Sequence, residues 1–129
     1  MDRTVADIMN PKLLYIGAGA PLSLARAQIV EFGVTAIPVL DESHRPIGVV
    51  SLRDFARDDE RRVEPSAVVH TVRSDASVED GARTLAALDV HHLVVVDSRG
   101  VAVGMVSALD FVRASIGVPP RHPASFERF

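Results

Sequence analysis

The chain has 129 residues, a formal charge of −3, 47% hydrophobic residues and no cysteine. The missing cysteines exclude disulfides, a thiolate nucleophile and Cys-ligated zinc. The acidic balance, with one Tyr, five Phe and no Trp, speaks against a nucleic-acid binder, which needs a basic face or stacking rings. The opening Met1-Asp2-Arg3-Thr4 carries no signal-peptide pattern, and apolar runs such as Leu93–Val96 are far shorter than the ~20 residues that cross a bilayer, so a cytoplasmic protein is expected.

In chain order, Leu13–Ile16 reads as a first strand, followed by the loop Gly17-Ala18-Gly19-Ala20, which lacks the Lys-Ser/Thr of a P-loop. Pro21–Phe32 reads as a helix with Leu22, Ala25, Ile29 and Phe32 on one face, ended by Gly33. Val34–Leu40 is a continuous apolar strand of the kind buried on both faces. The turn Asp41–Pro46 then returns the chain as Ile47–Val50 in an antiparallel hairpin, and a short helix follows Ser51. The charged stretch Arg57–Glu64, closed by Pro65, reads as a linker.

The same series then recurs. A shift of 56 residues, Val34 onto Val90, also places Val39 on Val95, Asp41 on Asp97, Gly48 on Gly104, Ser51 on Ser107, Asp54 on Asp110 and Phe55 on Phe111 without a gap. It predicts a strand over Val68–Val72 and a helix whose apolar face is Val78, Gly81, Leu85 and Leu88, started by Ser77 with Asp80. It further predicts the hairpin Val90–Val96 and Val101–Val106 and a helix after Ser107. Each repeat is thus β-α-β-β-α, an α/β (α+β) architecture, and two repeats are expected to stack into one module because a unit this short buries little by itself. The tail from Gly117, with Pro119, Pro120 and Pro123, cannot continue a helix.

Both repeats place Gly-h-h-Ser-x-x-Asp at the end of a strand and the start of a helix: Gly48–Asp54 and Gly104–Asp110. Unpaired N–H groups and the helix dipole at such a corner favour an anion, and the hydroxyl adds a donor. An aspartate one turn on offers two acceptor oxygens to a ribose diol. Ser-x-x-Asp is equally a helix-capping arrangement. Repetition in one register is what favours a ligand role.

These motifs, with Val5-Ala6-Asp7-Ile8-Met9, Ala36-Ile37-Pro38-Val39 and His92–Asp97, resemble cystathionine-β-synthase (CBS) domains over residues 4 to 115. The resemblance implies the CBS-pair fold with pseudo-twofold symmetry: one repeat at 1–60, a second at 61–117, and a Pro-rich tail at 118–129. It also implies adenine slots lined by Met9, Leu14, Val34, Thr35, Ala36 and Pro38, and by Pro65, His70, Val90, His91, His92 and Val94, with Ser51, Asp54, Ser107 and Asp110 serving phosphate and ribose. His91 and His92 fall where relatives place phosphate-touching side chains, whereas the first repeat has Thr35 and Ala36, so unequal sites are expected.

The expected function is that of a regulatory sensor of AMP, ADP, ATP, S-adenosylmethionine or a similar adenosyl ligand. It would act through a homodimer or an effector protein, without required cofactor, metal, membrane or nucleic-acid duplex. A ligand-free homodimerisation module is the alternative, and no nucleophile–base pair or carboxylate pair points to catalysis. Neighbouring strand residues face opposite ways, so His91 and His92 do not form a metal pair. His44 in a turn and His122 in the tail are expected to be solvated.

Overall fold

A computed structural model describes residues 3–52, 62–63 and 69–122. The expected helix after Ser51, most of the linker, Pro65, Asp54 and the end of the tail lie outside the described residues. The described chain runs α1 (Val5–Ile8), β1 (Ile16–Gly17), α2 (Leu22–Phe32), β2 (Ala36–Leu40), β3 (Pro46–Ser51), β4 (Thr71–Arg73), α3 (Val78–Leu88), β5 (His92–Val96), β6 (Ala102–Ser107) and α4 (Ala108–Ser115). No helix among the described residues is long and apolar enough to cross a membrane.

Two three-stranded sheets result, ordered β1-β2-β3 and β4-β5-β6, each with one parallel and one antiparallel pair. The repeat holds at the level of single pairs. Ala36 opposes Ser51 as His92 opposes Ser107, and the hairpin register slips between Val39 and Leu40 as it does between Val95 and Val96. Both turns close alike: Asp41 Oδ1 accepts from the N–H groups of Ser43 and Arg45, and Asp97 Oδ1 from those of Arg99 and Val101. The Ser43 hydroxyl (2.7 Å) and then the Arg45 amide hold the Asp41 carboxyl below its ordinary range.

Each sheet has its own core. In the first unit Ile37 and Val39 of β2 and Val50 of β3 meet Leu22, Ala25 and Ile29 of α2, with Ile16 and Val63. All five residues of β2 are buried, as continuous β-branched and apolar sequence requires of a strand covered on both faces. In the second unit Leu93, Val95, Val72, Val106 and Phe111 form the cluster, joined by Val5 and Ile8 from α1. Leu88, placed on the apolar face of α3 by its spacing, is 40% exposed at the last turn of the helix.

Two differences between the repeats have local causes. Pro38 and Val94 are equivalent, but only Val94 has an N–H, which donates to the His70 carbonyl at 3.2 Å. The parallel pairing therefore begins at Thr71 opposite Val94 in the second unit, whereas β1 begins one pair later, at Ile16 opposite Val39. The expected strand Leu13–Ile16 is thereby cut to Ile16–Gly17. Helix endings differ too: α2 stops at Gly33 with φ 67°, and α3 stops in the same left-handed conformation at Asp89, φ 55°, where glycine would be less strained.

The spatial units are offset from the sequence repeats. Residues 1–13 group with 70–122, and residues 14–69 form the core of the other unit. The ties that produce this grouping are non-local. Val5 and Ala6 N–H donate to the carbonyls of Ala76 and Ser74, and Val78 N–H donates to that of Arg3. Asn10 and Met105 exchange two backbone bonds, at 2.8 and 3.2 Å. The approach is close: a Cβ at Gly104 would lie 2.6 Å from the Asn10 carbonyl oxygen and 2.7 Å from Met9 Sδ. Helix α1, four residues long, is too short for a periodicity reading.

Candidate functional site

The second unit holds a complete strand-to-helix corner. β6 ends at Ser107, whose extended backbone (φ −113°, ψ 164°) turns the chain into α4. The His91 carbonyl accepts from Ala108 N–H at 2.9 Å, pinning the corner to the start of β5; the Thr35 carbonyl does the same for Leu52 at 3.2 Å in the first unit. Ser107 N–H and Oγ donate to Asp110 Oδ2 at 2.8 and 3.1 Å, and Asp110 N–H donates back to Ser107 Oγ at 3.3 Å. This reciprocal capping box satisfies two of the amides that a helix start leaves unpaired.

Asp110 is also 6% exposed, the single buried charged side chain among the described residues. Burying a carboxylate without compensation is expensive, and capping engages only Oδ2. Its second oxygen, Oδ1, faces the Arg113 guanidinium, 3.9 Å away, and the His122 ring, whose Nδ1 lies 4.0 Å away. His92, half-buried at the start of β5, completes the surroundings. Desolvation pushes its pKa below the ordinary value, His91 adds to the effect, and Asp110 opposes it. With its charged form disfavoured, the His92 ring sits near the Asp110 carboxylate as a polar group able to donate at one nitrogen and accept at the other.

The other candidate residues of this unit lie around the same strands. Val94 is fully buried at the middle of β5, and His70 is half-buried with its carbonyl held by Val94. Met9 and Val90 are half-buried and pack on the second core, so part of their surface serves the fold. His91 is exposed. No group of three or more His, Cys, Asp or Glu among the described residues is placed to hold a metal ion.

The first unit presents the plainer version. Leu14 and Val34 are half-buried and pack on its core, Ala36 and Pro38 are buried in β2, Thr35 is exposed, and Ser51 is half-buried at the end of β3. Asp54 lies outside the described residues, so the acidic half of this corner is not described. Ala36 stands where the second unit has His92, leaving this position without a polar group.

Two residues at the second corner escaped the sequence reading. Arg113 lies at i+3 from Asp110, a spacing that puts both on one helix face and that would have found it. His122 gave no local signal, lying beyond Pro119 and Pro120. The expectation that it is solvated is corrected: its side chain is only 21% exposed, drawn back onto α4 with the tail. His44 is exposed, as expected. Its ring meets that of Tyr15 at 5.1 Å, on a backbone with φ 63°.

Comparison with known proteins agrees with the repeat. The family model described as the CBS domain matches twice, over residues 5–60 and 62–117. The homoserine O-acetyltransferase of Methanohalophilus mahii is 29% identical over 119 residues, 88% of this chain, but the chain spans only 24% of that protein's length. Among solved structures, the cytosolic domain of the Mg2+ channel MgtE in complex with ATP is 30% identical with a TM-score of 0.74, covering 83% of this chain and 46% of that one. CBSX2, a CBS-pair protein of Arabidopsis thaliana, solved in complex with AMP, is 28% identical with a TM-score of 0.74, covering 88% of this chain and 96% of that one. With both repeats matched by the family model and the paired fold shared with these structures, the chain belongs to the CBS-domain family as a tandem CBS pair.

Proposed function

We propose that the chain is a regulatory module that binds an adenine nucleotide or a related adenosyl compound such as S-adenosylmethionine, and that it acts through dimer rearrangement or an effector protein. The observation that carries this reading is the buried Asp110 at the β6–α4 corner. One of its oxygens is fixed by the capping box, while the other is oriented toward the Arg113 guanidinium. A ribose diol needs such a half-occupied carboxylate, and the helix start with His92 beside it suits phosphate. The ATP complex of the MgtE cytosolic domain and the AMP complex of CBSX2 support this ligand class. The acyl-transfer chemistry of the homoserine O-acetyltransferase is not part of the reading, since three quarters of that protein has no counterpart here.

A second reading, a homodimerisation module with no ligand, draws on α4. Leu109, Val112 and Ile116 are 52%, 51% and 69% exposed at a spacing that lines one helical face. Thermal unfolding with AMP, ADP, ATP and S-adenosylmethionine separates the two. Ligand at 100 times its dissociation constant adds about 2.7 kcal/mol. Asp54→Ala and Asp110→Ala should abolish that gain, whereas the loss of a cap alone costs about 0.5–2 kcal/mol with or without ligand. A folded dimer that none of the four ligands stabilises would leave the assembly reading in place.

A further inference from the structure

We propose that the segment Val118–His122 is an autoinhibitory strap, with His122 standing against the carboxylate oxygen that a ribose would take; this rests on the reading of Asp110 as the ribose-binding group. The path of the chain is built for the return. α4 ends at Ser115, and Gly117 adopts φ 76° while Val118 N–H donates to the Arg113 carbonyl at 2.9 Å, which reverses the direction of the backbone. Pro119 and Pro120 then hold the strand extended. At about 3.1 Å per residue in an extended proline segment, Val118 to His122 reaches roughly 12 Å. Ser115 to Asp110 needs only about 7.5 Å at 1.5 Å per helical residue.

Where the tail arrives, two contacts hold it. Arg113 Nη1 donates to the Arg121 carbonyl at 3.4 Å, and His122 Nδ1 lies 4.0 Å from Asp110 Oδ1. Arg113 Nη1, 3.9 Å from that same oxygen, ties the tail and the carboxylate into one cluster. These contacts are long beside the 2.8 and 3.1 Å bonds that fix Oδ2 in the capping box. His122 Nε2 is buried without a hydrogen-bond partner among the described residues, so leaving returns it to water. The cap is strong and the strap is weak. A ribose can therefore displace His122 without dismantling the helix start, and by reciprocity a docked tail lowers affinity for the ligand.

The test compares the full chain with its His122→Ala and Asp110→Ala variants by calorimetric titration with AMP and with ATP. His122→Ala should bind about threefold to tenfold more tightly than the parent, because a competent state that was partly occluded becomes fully available. Asp110→Ala should lose binding. In parallel, tryptic cleavage of the Arg121–His122 bond, followed by mass spectrometry, should accelerate when AMP is added to the parent and also in Asp110→Asn, which keeps a capping oxygen but not the charge. Equal affinity of parent and His122→Ala, with binding lost in Asp110→Ala, overturns the strap and keeps the site. Cleavage unaffected by Asp110→Asn likewise overturns it. Absence of AMP and ATP binding in both the parent and His122→Ala removes the site reading, and the strap with it.

Discussion

Pro38 and Val94 occupy the same place in the two repeats, and one atom separates their consequences. Val94 carries the amide hydrogen that the His70 carbonyl accepts, so β4 has three residues; Pro38 has none, and β1 has two. The same contrast recurs at helix–helix contacts. Ala25 of α2 is fully buried in the first core, whereas its counterpart is Gly81 because α1 and α4 press there: a Cβ would lie 2.9 Å from Val5 and 3.0 Å from Phe111. Among the described residues the second unit therefore carries one more residue pair in its parallel strands and a half-buried His92 near the buried Asp110. The two copies share a backbone register, and single substitutions give them different local surroundings.

The largest way to break this comparison is to move the proline. Val94→Pro should remove the bond to His70 and leave its carbonyl unpaired, destabilising the chain by about 2–4 kcal/mol in urea denaturation. Next is Gly81→Val. Overpacking against Val5 and Phe111 should cost about 1–3 kcal/mol, visible as a lower urea midpoint at unchanged slope. The converse proline exchange is smaller. Pro38→Val supplies an N–H to the first sheet and should add about 0.5–1.5 kcal/mol, with slowed hydrogen exchange at the new amide as its direct sign.

The last prediction concerns pH. Burial, reinforced by His91, lowers the pKa of His92 in the folded state, so between that pKa and the unfolded value near 6.5 the unfolded chain binds more protons. Stability is therefore unaffected by this group above about pH 6.5 and falls as pH drops through that value. His92→Ala, which copies the first repeat's Ala36, should flatten that part of the Tm-against-pH curve. A slope unchanged by the substitution would assign the effect to other groups.

Much of this was readable from residues alone, for stated reasons. The 56-residue shift carried the hairpins, their turns and both long helices, because apolar phase and turn chemistry are local. Ser107-x-x-Asp110 was readable as either cap or ligand site, and the structure displays its capping bonds while leaving Oδ1 facing Arg113 and His122. What stayed hidden was non-local. Nothing near Asn10 announces its pairing with Met105, nothing near His122 announces Asp110, and the truncation of β1 depends on Pro38, a residue far along the chain from the strand it shortens.

The pairing of Asn10 with Met105 also has a consequence for synthesis. Val5 and Ile8 leave the ribosome about 100 residues before Val106 and Phe111, which help bury them, and at the usual 5–20 residues per second the wait is roughly 5–20 s. Through that interval two apolar side chains have no native shelter, while residues 14–52 already hold most of what their own sheet requires. Vectorial production thus completes the later-made unit only by recruiting a segment made before the other unit.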